Sequence, residues 1–387
     1  MIANVAPSFD ALEALSREAL SRGKDADLVG FVPVNRAKNR GRGAQSNRSG
    51  RFETFKREQF DDGWALEDPE NNFDTIEHLE RANSIISRNS SPDLPFDRSI
   101  NPYRGCAHGC SYCYARPTHT YLGHSAGLDF ERDIYIKPNA AKLLRKELSH
   151  AKYRAKPIAI GTNTDPYQPI ERKHKIMRQL LKVFCETKHP LMITTKSALI
   201  LRDLDLLQEL AEQNLVFVSI SITTMDNKLS RMMEPRASSP ANRLAAIKSL
   251  SESGIPTGVL VAPVIPAIND MELERIIENS AAQGAISAQM IMLRLPLEVK
   301  DIFREWLLRY FPNKVSHVMN LVRDMRSGKE NDPRFGYRMR GQGPYAQMLQ
   351  QRFEQTAKKL GFGTKPQKLC NDLFVAPKTI SAQLSLF

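Results

Sequence analysis

Apolar residues in the middle of the chain follow two alternating patterns. Short apolar runs, bounded by Gly, Pro and Thr, have the length of single β-strands. Six strands are predicted, over residues 99–103, 157–162, 191–195, 215–222, 257–264 and 286–293. Between them, apolar side chains recur three and four positions apart, as at Ile176, Leu180 and Phe184, and this spacing predicts amphipathic helices.

Polar residues and proline mark where some of these helices begin and end. Ser239 followed by Pro240 predicts an N-cap with proline at the first helical position. Gly254 predicts the end of the same helix, and Asp270 predicts another N-cap. Strands that alternate with helices through short links form a parallel sheet with right-handed crossovers. Six such units predict an α/β fold, a partial TIM-like (β/α)6 barrel over residues 98–312, with its site at the carboxyl ends of the strands.

The two ends of the chain do not continue this alternation. Residues 1–97 are predicted to be an N-terminal basic extension that is poor in strands and partly disordered. Residues 313–387 are predicted to be a C-terminal helical extension. Helices are expected at residues 301–310, at the end of the barrel, and at 345–360.

Basic residues concentrate in one segment of each extension. The N-terminal segment has Glu53 as its one acidic residue and contains Arg36, Lys38, Arg40, Arg42, Arg48, Arg51, Lys56 and Arg57. It is either a solvated, disordered arm or an arm that orders on phosphates. The C-terminal segment contains Arg323, Arg326, Lys329, Arg334, Arg338 and Arg340, with the aromatic residues Phe335, Tyr337 and Tyr345 nearby. It is expected either to bind a nucleic-acid backbone and stack bases or to place charged helix ends on the barrel.

Composition limits the class of protein. The chain of 387 residues is 41% hydrophobic, which is enough to bury a large core. No stretch approaches the roughly 20 apolar residues of a membrane span, and the first residues lack the basic-then-apolar order of a signal peptide. A cytoplasmic protein without a membrane partner is therefore expected. The formal net charge of +12 favours a polyanionic partner such as nucleic acid.

Three of the five cysteines lie together after the first predicted strand. Cys106, Cys110 and Cys113 form a C-x3-C-x2-C run, whereas Cys185 and Cys370 stand alone. A cubane cluster of four irons normally takes four thiolates, so a loop with three leaves one iron open for another ligand. The spacing therefore predicts a 4Fe-4S cluster with an open coordination position.

Structural zinc is the alternative occupant of this loop. Zinc sites use four ligands, usually as two separated pairs, and no second cysteine pair is present. His108 and His119 could complete a zinc set, although His108 is expected to be a loop residue that faces solvent. The sequence favours the cluster.

Polar residues also follow the second, third and fourth predicted strands. Asp165 and Glu171 come after the second strand, and Glu171 is expected to cap the next helix. Lys196 follows the third strand, where an ammonium can meet a ligand carboxylate. Ser219 and Ser221 share one face of the fourth strand, because side chains two apart point the same way. Their hydroxyls suit a ribose or a carboxylate, unless the backbone satisfies them.

The cysteine run, with Tyr112 before its last cysteine, resembles the signature of the radical SAM superfamily. From Cys106 to about Pro266 the chain resembles the spore photoproduct lyase branch. The N-terminal basic segment, with RGRGA at 40–44, resembles an uncharacterised bacterial subgroup of it, whose substrate the resemblance does not supply. The matching landmarks are YCY at 112–114, TK at 195–196, SI at 219–220, EP, SS and RLAA within 234–246, VAP at 261–263 and, beyond the barrel, RFGYRMRGQGPY at 334–345.

The resemblance implies a radical SAM partial barrel and a lyase-like enzyme. In such enzymes a 4Fe-4S cluster, fed by an electron donor such as flavodoxin or ferredoxin, cleaves S-adenosylmethionine (SAM) to a 5'-deoxyadenosyl radical. The resemblance implies that Lys196 and Ser219 contact SAM, and Ser221 on the same strand face is expected to join them. It also implies that Tyr112 and Tyr114 lie near the adenosyl group, with Tyr114 as a candidate catalytic residue.

One departure from the lyases concerns the hydrogen donor. They carry a hydrogen-donating cysteine just after the second strand, where this chain has Thr162. An O–H bond is much stronger than an S–H bond, so Thr162 would be a poor donor to a carbon radical. Either Tyr114 donates or the reaction differs. The sequence thus predicts a radical SAM enzyme acting on a nucleic acid or nucleotide, as in DNA repair. The alternatives are radical modification of a protein or metabolite and a non-catalytic iron-sulfur nucleic-acid binder.

Overall fold

The computed structural model describes residues 41–53, 74–362 and 368–377. Within these ranges the strands are β1 (Ile76–Leu79), β2 (Ile86–Arg88), β3 (Arg98–Ile100), β4 (Tyr103–Arg104), β5 (Asp133–Ile136), β6 (Ile158–Ile160), β7 (Leu191–Thr195), β8 (Val216–Ser221), β9 (Thr257–Val264) and β10 (Ser287–Met292). The six predicted strands are confirmed as β3, β6, β7, β8, β9 and β10. Of these, β7 and β9 begin and end at the predicted residues.

The main sheet of the described residues is an open, mostly parallel sheet of seven strands. Its order is β10-β9-β8-β7-β6-β3-β2, and every pair is parallel except β2 with β3. The parallel strands follow one another in chain order, with helices between β6 and β10. Because β2 and β10 remain at opposite edges, the sheet confirms the predicted partial barrel.

Helices cover the outer face of this sheet and extend beyond it. They are Leu128–Arg132, Ala140–Leu148, Glu171–His174, Ile176–Thr187, Leu204–Glu212, Asn227–Met233, Pro240–Glu252, Leu273–Ala282, Val299–Tyr310, Val315–Asp324 and Gly343–Lys359. The helices predicted at 301–310 and 345–360 are confirmed with small shifts. No helix in the described ranges combines the length and the apolar character that crossing a bilayer requires.

The sequence signals for helix ends are confirmed in two cases and wrong in one. The Ser239 hydroxyl accepts a hydrogen bond from the Asn242 N–H at 3.3 Å at the start of helix Pro240–Glu252. Gly254 follows the end of that helix with a φ of 71°, a left-handed conformation that glycine adopts without strain. The N-cap predicted at Asp270 is wrong. This residue lies in a 3-10 turn, and its carboxylate accepts the Tyr345 hydroxyl instead.

A second, three-stranded sheet was not predicted. Its order is β1-β5-β4, with β1 parallel and β4 antiparallel to β5. The predicted scarcity of strands before residue 98 is therefore wrong for the described residues 74–88, which contain β1 and β2. Both strands are short and largely exposed, so their residues form no apolar run that could signal a strand.

The strands of the barrel bury one face more completely than the other. In β8, Val216, Val218 and Ile220 are buried against the outer helices, whereas Phe217 and Ser219 on the opposite face are only partly buried. This alternation shows that the concave face of the sheet is open enough to admit a ligand near the ends of the strands.

Candidate active site at the barrel mouth

The cysteine loop follows β4 and turns back on itself through its own backbone. Gly109 N–H donates to the Cys106 carbonyl and Cys113 N–H to the Cys110 carbonyl, each at 3.3 Å. All three cysteines are free thiols, with Cys106 and Cys110 buried and Cys113 partly buried. The loop therefore brings three unpaired, shielded thiols together within eight residues of chain.

A buried ion pair holds the loop in place. Arg116 and Glu131 are both 0% exposed and pair with each other. The Arg116 guanidinium also donates to the carbonyl of Cys110 at 2.9 Å and to those of Ala126 and Gly127 at 3.0 and 2.9 Å. A guanidinium offers five donors in a fixed plane, so this one side chain fixes several backbone positions around the cysteines.

Residues 41–53 pack over the cysteine loop and are called the N-terminal strap. The Glu131 carboxylate accepts the N–H groups of Gly43 and Ala44 at 2.9 and 2.7 Å. A Cβ on Gly43 would lie 1.6 Å from the Gly109 carbonyl oxygen, so only glycine fits this contact. The strap thus closes one side of the cysteine loop at van der Waals distance.

This packing corrects one interpretation of the N-terminal basic segment. Arg42 is 5% exposed, and its guanidinium donates to the backbone carbonyl of Glu131 at 2.7 Å, so it is neither solvated nor free to bind a phosphate. Arg48 and Arg51 pair with Glu305 at 3.0 Å and with Glu298 at 2.5 Å. Residues 36–40 and 54–57 of the predicted arm lie outside the described residues.

The cysteine loop fits an iron-sulfur cluster better than a single metal ion. Across the described ranges, no three His, Cys, Asp or Glu side chains converge so that they could hold one ion, which disfavours zinc. In a cubane cluster each thiolate binds a different iron, so the sulfurs need not converge on one point. Burial raises the pKa of Cys106 to about 12, with Asp165 adding to the effect. A bound cation would have to reverse this shift for the thiolate to form.

The two histidines considered for zinc are buried. His108 is 2% exposed rather than solvent-facing, and its Nδ1 lies 3.4 Å from an Asp165 oxygen. The expectation that it faces solvent is wrong, because the loop folds His108 back against Asp165 in the segment that follows β6. His119 is 1% exposed, and neither ring nitrogen has a hydrogen-bond partner among the described residues.

Lys196 lies at the end of β7 and points across the barrel mouth. Its ammonium donates to the Ser221 hydroxyl at 2.5 Å and to the Ala262 carbonyl at 3.2 Å. It also lies 3.5 Å from a Glu234 oxygen. Ser219, paired with Thr194 in the adjacent strand, shares its strand face with Ser221 and stays partly exposed. The structure therefore brings together three of the residues singled out in the sequence, Lys196, Ser219 and Ser221.

Glu234 is a member of this site that sequence reasoning did not assign a role. Its buried carboxylate accepts hydrogen bonds from Tyr112, from Arg243 and, at 2.9 Å, from Thr223. Burial alone would raise the pKa of this carboxyl, but Arg243 and Lys196 overcome that effect and lower it to about 2. Glu234 is thus ionised at neutral pH and fixes the phenol of Tyr112 beside the cysteines.

The two tyrosines that flank Cys113 have different environments. Tyr112 is 7% exposed and anchored on Glu234, whereas Tyr114 is 46% exposed. The Tyr114 hydroxyl donates to the Thr162 carbonyl, and the Arg294 guanidinium lies 5.2 Å from the centre of its ring. The ring of Tyr114 is therefore accessible at the barrel mouth, whereas Tyr112 is buried beneath it.

The two acidic residues after β6 support the scaffold. Glu171 accepts the N–H groups of Ile176 and Met177 at 3.0 and 3.1 Å, which confirms its predicted capping of the next helix. Asp165 accepts the Lys196 N–H at 2.7 Å. Its pKa is lowered to about 2 although burial opposes this, because His108 and several hydrogen bonds favour the anion. Asp165 thus links the cysteine loop to the end of β7.

Comparison with known proteins identifies the family. The description Radical SAM superfamily matches residues 100–279. An uncharacterised protein of Mycobacterium tuberculosis is 39% identical over 232 residues, which are 59% of this chain and 68% of that protein. The "Radical SAM Nalpha-GlyT isomerase" of Pseudomonas phage M6 is 27% identical over 186 residues, which are 47% of this chain and 36% of that protein.

Solved structures resemble the chain in fold. Spore photoproduct lyase complexed with dinucleoside spore photoproduct superposes with a TM-score of 0.55 and 18% sequence identity, over 73% of this chain and 79% of that chain. A single-site variant of the same lyase gives a TM-score of 0.56 over 76% of this chain and 82% of its own, again at 18% identity. At this identity the similarity establishes the shared fold.

Proposed function

Because the chain belongs to the radical SAM superfamily, whose enzymes use SAM and a 4Fe-4S cluster, we propose that Cys106, Cys110 and Cys113 hold such a cluster and leave one iron open for SAM. When bound, cluster and SAM supply a reductive cleavage that yields a 5'-deoxyadenosyl radical. The observation that carries this proposal is three free, shielded thiols at the carboxyl end of the barrel, beside a cationic lysine.

The residues of the barrel mouth bind and orient SAM in this proposal. Lys196 offers its ammonium to the SAM carboxylate, and its present partner Ser221 and neighbour Ser219 offer hydroxyls to polar groups of the ligand. Glu234 holds the Lys196 side chain in place through the 3.5 Å ion pair. Tyr112 and the N-terminal strap exclude water from the cysteine loop.

A nucleic acid or nucleotide is the substrate class that the mouth supports best. The segment 334–340 continues the barrel, because Met292 N–H at the end of β10 donates to the Met339 carbonyl at 2.9 Å. Phe335 and Tyr337 in this segment are 52% and 46% exposed, and the guanidiniums of Arg338 and Arg334 lie 4.8 and 4.9 Å from their ring centres. Exposed rings beside guanidiniums are the groups on which bases stack.

Other members of the C-terminal basic segment have structural roles. Arg326 is 1% exposed and donates to the carbonyls of Leu293 at 2.6 Å and Tyr337 at 2.9 Å. The Tyr345 hydroxyl is bound to Asp270. Arg326 and Tyr345 therefore drop out of the predicted nucleic-acid contacts, and the proposal rests on the exposed rings of Phe335 and Tyr337.

The hydrogen donor differs from that of the lyases in this proposal. Thr162 has a hydroxyl where the lyases have a thiol. This hydroxyl oxygen accepts a hydrogen bond from the Asn101 side-chain amide at 3.0 Å. Tyr114, whose hydroxyl reaches the Thr162 carbonyl, is the exposed redox-capable group at this position. Tyr114 is accordingly the candidate donor, and repair of the thymine dimer through a returning cysteine hydrogen is not expected.

An isomerase that acts on another substrate is the second candidate. It is favoured by the name of the phage relative, which is an isomerase of the same superfamily. Reconstituted protein with SAM and a reductant is expected to release 5'-deoxyadenosine in either case. This release would exclude a non-catalytic nucleic-acid-binding protein. Stimulation of that release by DNA or RNA favours the nucleic-acid substrate, and indifference to both favours the isomerase of a protein or metabolite.

Cysteine variants test the cluster itself. Cys106→Ala, Cys110→Ala and Cys113→Ala should each lose the 4Fe-4S absorbance and electron paramagnetic resonance signal after anaerobic reconstitution. Cys185→Ala and Cys370→Ala are the matched controls and should keep both, because these thiols lie on other elements of the fold. Equal loss in a control variant would overturn the assignment.

A further inference from the structure

A cavity of ≈ 230 Å³ lies among the loops that follow β6, β7 and β8. The lining residues that determine which ligand the cavity could bind are His108, Arg172, Arg236, Ser238, Ser239 and Asn242. None of them contacts SAM in the function proposed above. The cavity is therefore a separate feature, although Ser197, next to Lys196 in the chain, is among its lining residues.

The walls of the cavity are cationic. Arg172 and Arg236 are both exposed, and no Asp or Glu is among the described residues that line the cavity. No described side chain pairs with the Arg172 guanidinium. Arg236 makes one long hydrogen bond, 3.4 Å to the Thr75 hydroxyl. Two arginines thus line the cavity, and no carboxylate is among its described lining residues.

The start of helix Pro240–Glu252 adds neutral donors to these charges. The Ser239 hydroxyl oxygen accepts from Asn242 N–H at 3.3 Å, and the Ser238 hydroxyl oxygen accepts from Ala198 N–H at 2.9 Å. Because each oxygen accepts from the backbone, each hydroxyl hydrogen remains available to a ligand. The helix is 13 residues long, and its dipole favours negative charge at this end.

A buried histidine also belongs to this cavity. His108 is 2% exposed and lines it, and its Nδ1 lies 3.4 Å from an Asp165 oxygen, an ion-pair distance at a geometry that falls short of a hydrogen bond. The Arg236 N–H donates to the His108 carbonyl at 3.3 Å, which fixes the arginine loop against the cysteine loop. The histidine and the two arginines thus form one wall around the same space.

We propose that this cavity binds a phosphate group. Guanidiniums recognise phosphate through paired hydrogen bonds, and the hydroxyls and helix terminus supply the remaining donors. The volume accommodates a phosphate with part of an attached sugar. The phosphate belongs either to a free nucleotide or to the backbone of a nucleic-acid strand. The site does not depend on the radical chemistry, so it can fail or stand independently of the proposed function.

Binding of inorganic phosphate and of a dinucleotide with one internal phosphodiester tests the site. Both are titrated calorimetrically into anaerobically purified protein. Arg172→Gln with Arg236→Gln should weaken the binding of phosphate about tenfold or more, because each substitution removes a charged hydrogen bond. The matched control, Arg275→Gln with Lys300→Gln, removes the same charge from exposed helix positions outside the cavity and should leave the affinity unchanged.

The outcomes separate the site from general charge effects. Loss of binding only in the cavity variant supports the proposal, and equal loss in both variants, or no phosphate binding by the unmodified protein, overturns it. Dinucleotide binding that the cavity variant loses assigns the phosphate to a strand, whereas binding of phosphate monoesters alone assigns it to a free nucleotide. A SAM titration of the same variant should be unchanged, since Lys196 is untouched.

Discussion

The carboxylate of Glu234 contacts several of the residues at the barrel mouth. Glu234 contacts Tyr112, Arg243 and Lys196, so it connects the cysteine loop to the ends of β7 and β8. A carboxylate that is hydrogen-bonded and paired on all sides resists protonation and movement. The position of the Lys196 ammonium is therefore set before any ligand arrives.

Removal of that ammonium should weaken SAM binding. Lys196→Ala is expected to lower the affinity about 10- to 100-fold, because a charged hydrogen bond is worth about 1.5–3 kcal/mol. Equilibrium binding of SAM to reconstituted protein measures this, with cluster absorbance as the check that the loop is intact. Lys173→Ala removes a surface ammonium that is 68% exposed and should bind SAM normally. An unchanged affinity in Lys196→Ala would remove this residue from the site.

His119 makes stability depend on pH. Burial, helped by the nearby His124, lowers its pKa from 6.5 to about 4. Above pH 6.5 the group is neutral in both the folded and the unfolded chain. Between pH 6.5 and 4 only the unfolded chain binds the proton, so the free energy of unfolding falls, by up to about 3 kcal/mol at lower pH.

Replacing His119 should remove this loss of folding stability at acidic pH. His119→Leu abandons no hydrogen bond, since both ring nitrogens lack partners among the described residues. Urea unfolding at pH 7 and at pH 4.5 should show a smaller drop for His119→Leu than for the unmodified protein. His150→Leu, at an exposed position, should show the full drop. Equal drops in all three proteins would contradict the prediction.

Among the candidate site residues, the sequence singles out those whose signal is local. The cysteines are recognised by their spacing. Lys196, Ser219 and Ser221 are recognised by their positions near the ends of predicted strands. Glu234 and the Arg116–Glu131 pair could not be predicted, because each acquires its role only through contacts made by folding. The hydrogen bond between Tyr112 and Glu234, for example, spans 122 positions of sequence.

Among the elements, the N-terminal strap depends most on one side chain. Glu131 accepts the Gly43 and Ala44 N–H groups and pairs with the fully buried Arg116. Removal of one partner of a buried pair leaves a charge without compensation. Glu131 is therefore an anchor that the strap shares with the cysteine loop.

Glu131→Ala should loosen both at once. It is expected to destabilise the fold by about 3–5 kcal/mol, since Arg116 stays buried and unpaired. Glu298→Ala removes the partner of Arg51, a strap residue; this carboxylate is 23% exposed, and its loss should cost at most about 1 kcal/mol. Thermal unfolding and the rate of cluster loss to a chelator are the measurements. Similar effects of the two substitutions would show that Glu131 is not the anchor.

Prediction of the elements succeeded where a strand carries its own apolar run. β7 and β9 were predicted to the residue, because they contain consecutive apolar residues at 191–193 and 259–261. β1, β2 and β5 lie at edges or in the small sheet, where strands of three or four residues leave no periodic signal. Their existence is fixed by pairing with distant strands rather than by their own composition.

At the scale of the whole molecule, the basic residues behind the net charge of +12 are not all available to a ligand. Arg326 is buried, and Arg338 pairs with Asp93 at 2.6 Å with both side chains largely shielded. The basic residues Arg36, Lys38 and Arg40 lie outside the described residues, ahead of the strap. They are candidates for sequence-independent binding of backbone phosphates.

Nucleic-acid affinity should therefore fall steeply with salt, and the first 40 residues should supply part of the slope. Deleting residues 1–40 should reduce the slope of log affinity against log salt, by about 0.7 to 0.9 for each phosphate that the shortened protein no longer neutralises. Fluorescence anisotropy with a labelled single strand measures it. The deletion must end before Gly41, because the strap supports the cysteine loop. An unchanged slope would assign the phosphate binding to the barrel alone.

The strap also constrains the order in which the molecule is completed. Its hydrogen bonds to Glu131 span 88 and 87 positions of sequence, its contact between Arg51 and Glu298 spans 247, and that between Gln45 and Arg309 spans 264. A segment made early on the ribosome must therefore wait for helix Val299–Tyr310, made late, before it can dock fully. Until that helix has been made, the strap cannot dock fully over the cysteine loop, so in the proposed function the loop stays accessible to iron during synthesis.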